Sequence, residues 1–221
     1  MITDFDVGRL IAAQYAGDRS KFYTFVDPAH DDFAGIAWAA AKVEGVWVIC
    51  FEGSHDPPDW AHDFDPARIS VQGLGTLRAG FFANMVDTYQ AIFRACKGPK
   101  IFCGHSLGAA RADIATGLAC ASLDPPLAYI RWGEPAPCHG PELGTLLKDV
   151  QGRSYFNTDP SGYMTEQDLV CDVPPALFGW RHPQQLIRVN GGVDPERSVW
   201  DLLAYHHFPR YLAVTPATVI L

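Results

Sequence analysis

Long apolar runs are missing from this 221-residue chain, and none approaches the roughly 18 residues that a bilayer span requires. Stable membrane insertion is therefore not expected. Basic residues are also in deficit, 17 Lys and Arg against 25 Asp and Glu, and the resulting charge of −8 repels phosphate backbones and anionic lipid surfaces at long range. Nucleic acid is excluded as an expected partner. Charge of either sign is sparse, 19% of residues against 48% apolar, which rules out a disordered tail or a coiled coil. The first residues, MITDFDVGRL, place two Asp before the first Arg and lack a basic segment followed by an apolar one. No secretory signal is read there, and a cytoplasmic location is favoured over a secreted one. The six cysteines, at 50, 96, 103, 120, 138 and 171, form no CxxC pair, and several lie inside apolar runs. They read as small core residues rather than as a disulfide framework. Internal repeats, low-complexity tracts and linkers are absent as well, so residues 1–221 are expected to form one domain.

What is present is an alternation of short β-branched and aromatic runs with longer helical patterns. The runs are FYTFV at 22–26, AGIAWAA at 34–40, VWVICF at 46–51, KIFC at 100–103, LAYIRW at 127–132, RSYF at 153–156 and QLIRV at 185–189. Such alternation predicts an α/β fold. Phe82, Met85, Val86, Tyr89 and Phe93 recur at three- and four-residue steps, predicting one helix stripe that faces the sheet and ends at Gly98-Pro99. A second helix is expected from Leu107 through Ile114 and Leu118, with Gly108, Ala109, Ala110, Ala112 and Ala115 allowing close approach to the sheet. A third is expected at 198–206. The pattern of Phe5, Leu10, Ile11 and Tyr15 predicts an N-terminal helix that covers the core.

The stretch richest in chemistry is Lys100-Ile-Phe-Cys-Gly104-His105-Ser106-Leu107-Gly108-Ala109-Ala110. An apolar strand runs into GxSxG and then into a helix of small residues, the context of a nucleophile elbow. Gly104 and Gly108 remove side chains that would collide at a sharp strand-to-helix turn, so the Ser106 hydroxyl can be presented to a carbonyl. The next amide, that of Leu107, lies at a helix N-terminus, where an N–H and the positive end of the helix dipole can stabilise an oxyanion. A serine hydroxyl needs a base to take its proton, and the base needs an acid to orient it. In this arrangement both follow the serine in the chain. His139, His182, His206 and His207 are the candidate bases; Asp159, Asp168, Asp172 and Asp194 are the candidate acids.

From about residue 46 to about residue 211 the sequence resembles the class 3 lipases, a family of the α/β-hydrolase fold. Val48-Ile49-Cys50-Phe51-Glu52-Gly53-Ser54, followed by Asp59-Trp60 and Asp63, is similar to the family's strand ending in Phe-Arg-Gly-Thr/Ser and its Asp-Trp pair. Ala79-Gly80-Phe81 resembles a His-x-Gly-Phe segment at the head of the first long helix, and GHSLGAA is the family's usual elbow. Trp132-Gly133-Glu134-Pro135 resembles its Phe-Gly-x-Pro turn, and Asp168-Leu169-Val170-Cys171-Asp172-Val173-Pro174-Pro175 its acid motif.

The resemblance implies a central, mostly parallel sheet flanked by helices and a carboxylic ester hydrolase with a Ser106, Asp168 and His206 triad. It selects Asp168 as the first acid of its motif, with Asp159 and Asp172 as alternatives. His206 lies five residues before Tyr211, as in the family's C-terminal segment, with His207 as the alternative. His182 falls in a supporting loop, and His105 is expected to pack beneath the serine. Ser54 would supply the other oxyanion amide opposite Leu107, and Trp60 and Phe81 would touch substrate. The triad needs no cofactor and no metal.

Two positions depart from the family pattern. Glu52 stands where Arg is usual, and Ala79 replaces a His; neither removes a proposed catalytic group. Residues 54–72 correspond to the lid region but are polar, with His55, Asp56, Asp59, His62, Asp63 and Asp65 and few large apolar side chains. An interfacial lid needs a substantial apolar face. The expected substrate is therefore a soluble or short-to-medium-chain acyl ester. His55, His62 and these carboxylates have ligand chemistry but match no metal-site spacing and read as solvated charges. Trp47, Trp132, Trp180 and Trp200 read as core. Phospholipase, thioesterase, amidase and acyltransferase activities would use the same triad. A catalytically silent binding module would keep only the fold.

Overall fold

The computed structural model describes residues 1–26, 36–53, 67–158, 167–192 and 205–221. In chain order the strands are β1 (Thr24–Val26), β2 (Trp38–Val43), β3 (Val46–Phe51), β4 (Arg68–Val71), β5 (Gly75–Arg78), β6 (Lys100–His105), β7 (Ala128–Trp132), β8 (Cys138–His139), β9 (Gln151–Asn157), β10 (Trp180–Arg181) and β11 (Leu186–Val189). The helices are α1 (Asp4–Tyr15), α2 (Ala79–Phe82), α3 (Met85–Ala95), α4 (Leu107–Ala121), α5 (Glu142–Leu147) and α6 (Phe208–Val214).

A seven-stranded sheet runs in the order β1-β2-β3-β6-β7-β9-β11. The first two pairings are antiparallel and the other four parallel, as the α/β reading requires. Each of the seven predicted runs contributes a strand to it. A four-stranded antiparallel sheet, β10-β8-β5-β4, stands apart and was not expected from the sequence.

Strand β3 shows why the central runs read as continuous apolar blocks. Every residue of VWVICF is buried, because alternate side chains enter two different cores. Trp47, Ile49 and Phe51 join Phe102 and Tyr129 in a cluster beneath α3 and α4. Val46, Val48 and Cys50 join Ile101, Ile130 and Trp132 in a cluster beneath α1 and α6. The parallel register, Phe51 opposite Gly104 and His105 opposite Trp132, brings the C-terminal ends of β3, β6 and β7 to one edge. Ligand sites of parallel sheets form at that edge.

Helix α1 begins with a capping box, in which the Thr3 hydroxyl accepts from the Asp6 amide at 3.2 Å and the Asp6 carboxylate from the Thr3 amide at 3.1 Å. Its Val7 and Ile11 are fully buried, so it covers the core as expected. The 82–93 stripe needs correction. Asn84 adopts a left-handed conformation, φ 59°, and separates the one-turn α2 from α3. The buried face is Met85, Tyr89, Ile92 and Cys96, whereas Val86 and Phe93 are exposed. Ala79-Gly80-Phe81 thus occupies its own turn, not the head of the long helix. Helix α4 matches its prediction. The expected helix at 198–206 falls mostly outside the described residues; Tyr205 and His206 form a turn, and α6 starts at Phe208. All six cysteines are free thiols, five buried and Cys120 partly so.

Candidate active site

Ser106 joins β6 to α4 with φ 57° and ψ −131°, a conformation that non-glycine residues rarely adopt. The turn is held because its amide donates to the Trp132 carbonyl at 3.0 Å and its own carbonyl accepts from Ala109 at 2.9 Å. No side chain larger than hydrogen fits beside it. A Cβ at Gly104 would collide with the Gly108 carbonyl, and one at Gly108 with the carbonyl of Phe51 at the end of β3. Gly53, just beyond β3, is equally close: a Cβ there would lie 2.8 Å from the Ser106 Cβ. The elbow expected from GHSLG is therefore present, and the segment leading to residue 54 lies against it. Ser54 itself, Trp60 and most of the expected lid fall outside the described residues, as do Asp159, Asp194 and Trp200.

The next strand end contacts the two residues expected as acid and base. Gly133 follows Trp132 with φ +57°, and a Cβ on it would come within 2.8 Å of His206 Cε1 and 2.9 Å of Asp168 Oδ2. His206 Nδ1 lies 2.7 Å from Asp168 Oδ2, and both residues are buried. The carboxylate is further fixed by the Val170 amide, which donates to Oδ1 at 2.9 Å, and by the Tyr211 hydroxyl, which donates to Oδ2. Burial, reinforced by the Asp168 charge, keeps the Tyr211 hydroxyl protonated well above its ordinary range. Tyr211 also accepts the Asn157 amide at 3.0 Å, while the Asn157 side chain donates to the Tyr205 carbonyl at 2.9 Å. One asparagine at the end of β9 thus ties the His206 turn to the strand from which the acid loop departs.

His105 is placed beneath this pair. Its ring stacks on that of His206 with centroids 4.5 Å apart. Its Nε2 lies 2.9 Å from the His206 carbonyl, an acceptor, so Nε2 carries the proton and Nδ1 accepts from the Tyr15 hydroxyl at 2.9 Å. Tyr15 in turn accepts the Gly53 amide at 3.2 Å. Burial, and then the neighbouring His206, hold His105 well below the usual histidine range. With both nitrogens engaged, it has no role as a base.

The alternatives are brought elsewhere. His207 is exposed and caps α6, and Asp172 is exposed and accepts from the Gln167 amide group at 2.6 Å. His139 packs edge-on against Trp180 in the small sheet. His182 lies behind the acid turn, with Nε2 2.8 Å from the Cys171 carbonyl. Phe81 is fully buried in the core with the Arg78 guanidinium over its ring at 4.7 Å, so it has no surface open to a ligand in this conformation. Trp47, Trp132 and Trp180 are buried. Sequence marks Tyr15 only as part of a helix pattern and Tyr211 only as a landmark for His206, and does not reveal the hydrogen bonds of either or of Asn157.

A groove of about 420 Å³ opens beside the acid motif, lined by Arg68, Arg78, Val173, Pro174, Pro175, Phe178 and Trp180. Among the described residues no cluster of His, Cys, Asp and Glu could hold a metal ion, and no helix is long and apolar enough to cross a membrane.

No protein family matches the chain by its sequence pattern, and no curated protein matches its sequence. Solved structures do match its shape. A fungal lipase crystal structure aligns over 93% of this chain and 94% of its own at a TM-score of 0.66 and 16% identity. The triacylglycerol lipase of Penicillium expansum covers 96% of this chain and 89% of its own, with a TM-score of 0.58 and 17% identity. For the mono- and diacylglycerol lipase of Aspergillus oryzae the coverage is 79% and 66%, the TM-score 0.59 and the identity 18%. The chain has the α/β-hydrolase fold in the form these fungal lipases take.

Proposed function

We propose that the protein is a carboxylic ester hydrolase that works through an acyl-enzyme, with Ser106 as nucleophile, His206 as base and Asp168 as the acid behind it. The observation that carries this reading is the His206–Asp168 hydrogen bond of 2.7 Å, held beside Gly133 and stacked on the residue that precedes Ser106. Asp168 and His206, far apart in sequence, meet beside Gly133, and the His206 ring stacks on His105, the neighbour of Ser106 where β6 turns into α4. Such convergence is recognised by geometry and role, not by position in the chain.

In the proposed cycle the Ser106 oxygen attacks the ester carbonyl while His206 Nε2 takes its proton. The imidazolium is stabilised by Asp168. The carbonyl oxygen, now an anion, is bound by the amides of Leu107 and Ser54. Collapse of the tetrahedral species breaks the bond to the alcohol, whose oxygen receives the proton from His206. Water then attacks the acyl-enzyme by the same route and releases the acid, restoring Ser106. The acyl chain is assigned to the groove between Arg68 and Trp180, whose apolar walls Val173, Pro174 and Pro175 continue directly from the acid turn. Its modest volume and the polar sequence of residues 54–72 favour soluble or short-to-medium acyl esters over a bulk oil phase. The fungal lipases that share the fold are described as acting on acylglycerols, which is the same bond chemistry.

Hydrolysis of p-nitrophenyl esters from acetate to palmitate by wild type and Ser106→Ala tests the chemistry and the pocket together. Wild type should turn over the shorter esters, and Ser106→Ala should lose several orders of magnitude in kcat while remaining folded. Turnover retained by the variant would remove Ser106 from the mechanism. A rise in rate at the onset of a long-chain glyceride emulsion would overturn the substrate assignment.

A further inference from the structure

Behind the acid turn lies a buried ionic cluster that the proposed chemistry does not use. Arg131 on β7, Asp113 on α4 and Glu134 just past β7 are all fully buried. Arg131 pairs with Asp113 through Nη1, reaches Glu134 Oε2 at 3.2 Å and donates to Gln184 at 3.3 Å. Glu134 Oε2 also accepts from Ser154 at 2.7 Å, so that oxygen is fully occupied. The other oxygen, Oε1, has no hydrogen-bond partner among the described residues, and neither has His182 Nδ1. These two atoms face each other at 3.6 Å, an ion-pair distance. On its far side the same imidazole donates Nε2–H to the Cys171 carbonyl at 2.8 Å.

Cys171 belongs to the tight 3₁₀ turn Leu169–Asp172 that Asp168 caps, and its amide returns to the Asp168 carbonyl at 3.3 Å. We propose, on the basis of the triad reading above, that His182 is a positioning residue for Asp168. As an imidazolium clamped between Glu134 and the Cys171 carbonyl, it fixes the turn from which the carboxylate faces His206. Glu134 is adjacent in sequence to Gly133, which abuts both Asp168 and His206, so the clamp joins the acid turn to the strand end that supports the base.

The facing geometry favours the imidazolium. Burial, against the pull of Arg131, raises the Asp113 carboxyl well above its usual range, so Glu134 is the carboxylate whose charge His182 faces, with Oε1 3.6 Å from Nδ1. Burial works against a charge on Glu134, but Arg131 beside it holds its carboxyl well below the usual range. Burial alone would lower His182; the facing carboxylate and the Cys171 carbonyl raise it by more, to above the ordinary histidine value, against a smaller opposing effect of Arg131. Asp172, on the turn itself, adds a further negative charge toward the ring. When the ring loses a proton, the Cys171 carbonyl retains Nε2–H, so Nδ1 is the site that empties. A lone pair then faces the Glu134 carboxylate, and an attraction becomes a repulsion. The turn is therefore held while the ring is charged and released as pH rises through a folded value above that of an ordinary histidine.

The test is the pH profile of kcat/KM on a soluble short-chain ester, followed by acid titration at fixed pH, for wild type, His182→Gln and Glu134→Gln. Glutamine at 182 can still donate to Cys171 but carries no charge. Wild type should show a falling alkaline limb; Glu134→Gln should move that limb to lower pH by about one unit or more. His182→Gln should abolish the limb and lower kcat by about tenfold or more, with KM little changed. Histidine-labelled NMR reads the same clamp without turnover. One imidazole should titrate above the ordinary 6.5, vanish in His182→Gln and move down in Glu134→Gln. If that imidazole titrates at or below the ordinary value, or if the His182→Gln profile overlays wild type, the positioning role is overturned. Wild type that titrates as expected but hydrolyses no ester would overturn the proposed function and leave the clamp standing.

Discussion

The Tyr211 hydroxyl donates to the same Asp168 oxygen that accepts the His206 imidazole. Sharing that oxygen aims it, because a carboxylate held by two donors from different directions cannot rotate away from either. Replacing Tyr211 by Phe removes one donor and leaves the buried Asn157 amide without its 3.0 Å acceptor. The expected cost is about 1–3 kcal/mol of stability, read by urea unfolding. A drop in kcat of about tenfold, with KM unchanged, should accompany it, because substrate contacts are untouched while the base is less firmly held. Wild-type kcat in a destabilised variant would show that Val170 and His206 suffice to orient the acid.

Gly133 has two separate reasons to be glycine, and two variants separate them. Its φ of +57° strains any side chain, and its Cβ position lies within 2.9 Å of both Asp168 Oδ2 and His206. Gly17 has φ +66° with no atom near its Cβ position. Alanine at either site should cost about 1–2 kcal/mol from backbone conformation. Only Gly133→Ala should displace the base as well, lowering kcat by about a hundredfold. Fluorophosphonate labelling of Ser106 gives a second readout. Equal labelling of the two variants would argue that the His206 side chain yields at no cost.

The contrast between what could and could not be read from sequence follows contact range. VWVICF and KIFCGH announce central strands because both faces are buried, and the elbow announces itself because nucleophile, glycines and small helix residues are contiguous. The family resemblance located Asp168 and His206, and the fold brings them together. The small sheet left no such trace. Strands β8 and β10 are two residues each and exist only through pairing with partners distant in the chain. The 82–93 stripe departs from the buried face because the expectation ran one helix through Asn84, whose left-handed backbone separates α2 from α3, and because within α3 the buried face is Met85, Tyr89 and Ile92 while Val86 and Phe93 lie outside it. Glu134 looked like a variable turn residue, since nothing local reveals that Arg131, Ser154 and His182 converge on it.

His105 and His182 depart from the ordinary histidine in opposite directions, so stability should respond to pH with two opposed slopes. His105 is held neutral by burial and by His206, with its protonated Nε2 facing a carbonyl and its bare Nδ1 accepting from Tyr15. The folded chain therefore refuses a proton that the unfolded chain takes below about pH 6.5. Stability from this residue is constant above that pH and falls below it, by up to about 1.4 kcal/mol per pH unit. His182, raised by Glu134, contributes fully below 6.5 and loses its contribution as pH rises through its folded value. Replacing His105 by Gln keeps a donor toward the His206 carbonyl and removes the titration. Urea unfolding of both proteins at pH 5, 6, 7 and 8 isolates the effect, because all other groups cancel in the difference. Wild type should exceed the variant most at pH 7–8, and its advantage should shrink toward pH 5. An advantage that is constant or grows on acidification would mean that the folded protein accepts a proton at His105, which is incompatible with the Tyr15 to His105 to His206 hydrogen-bond direction.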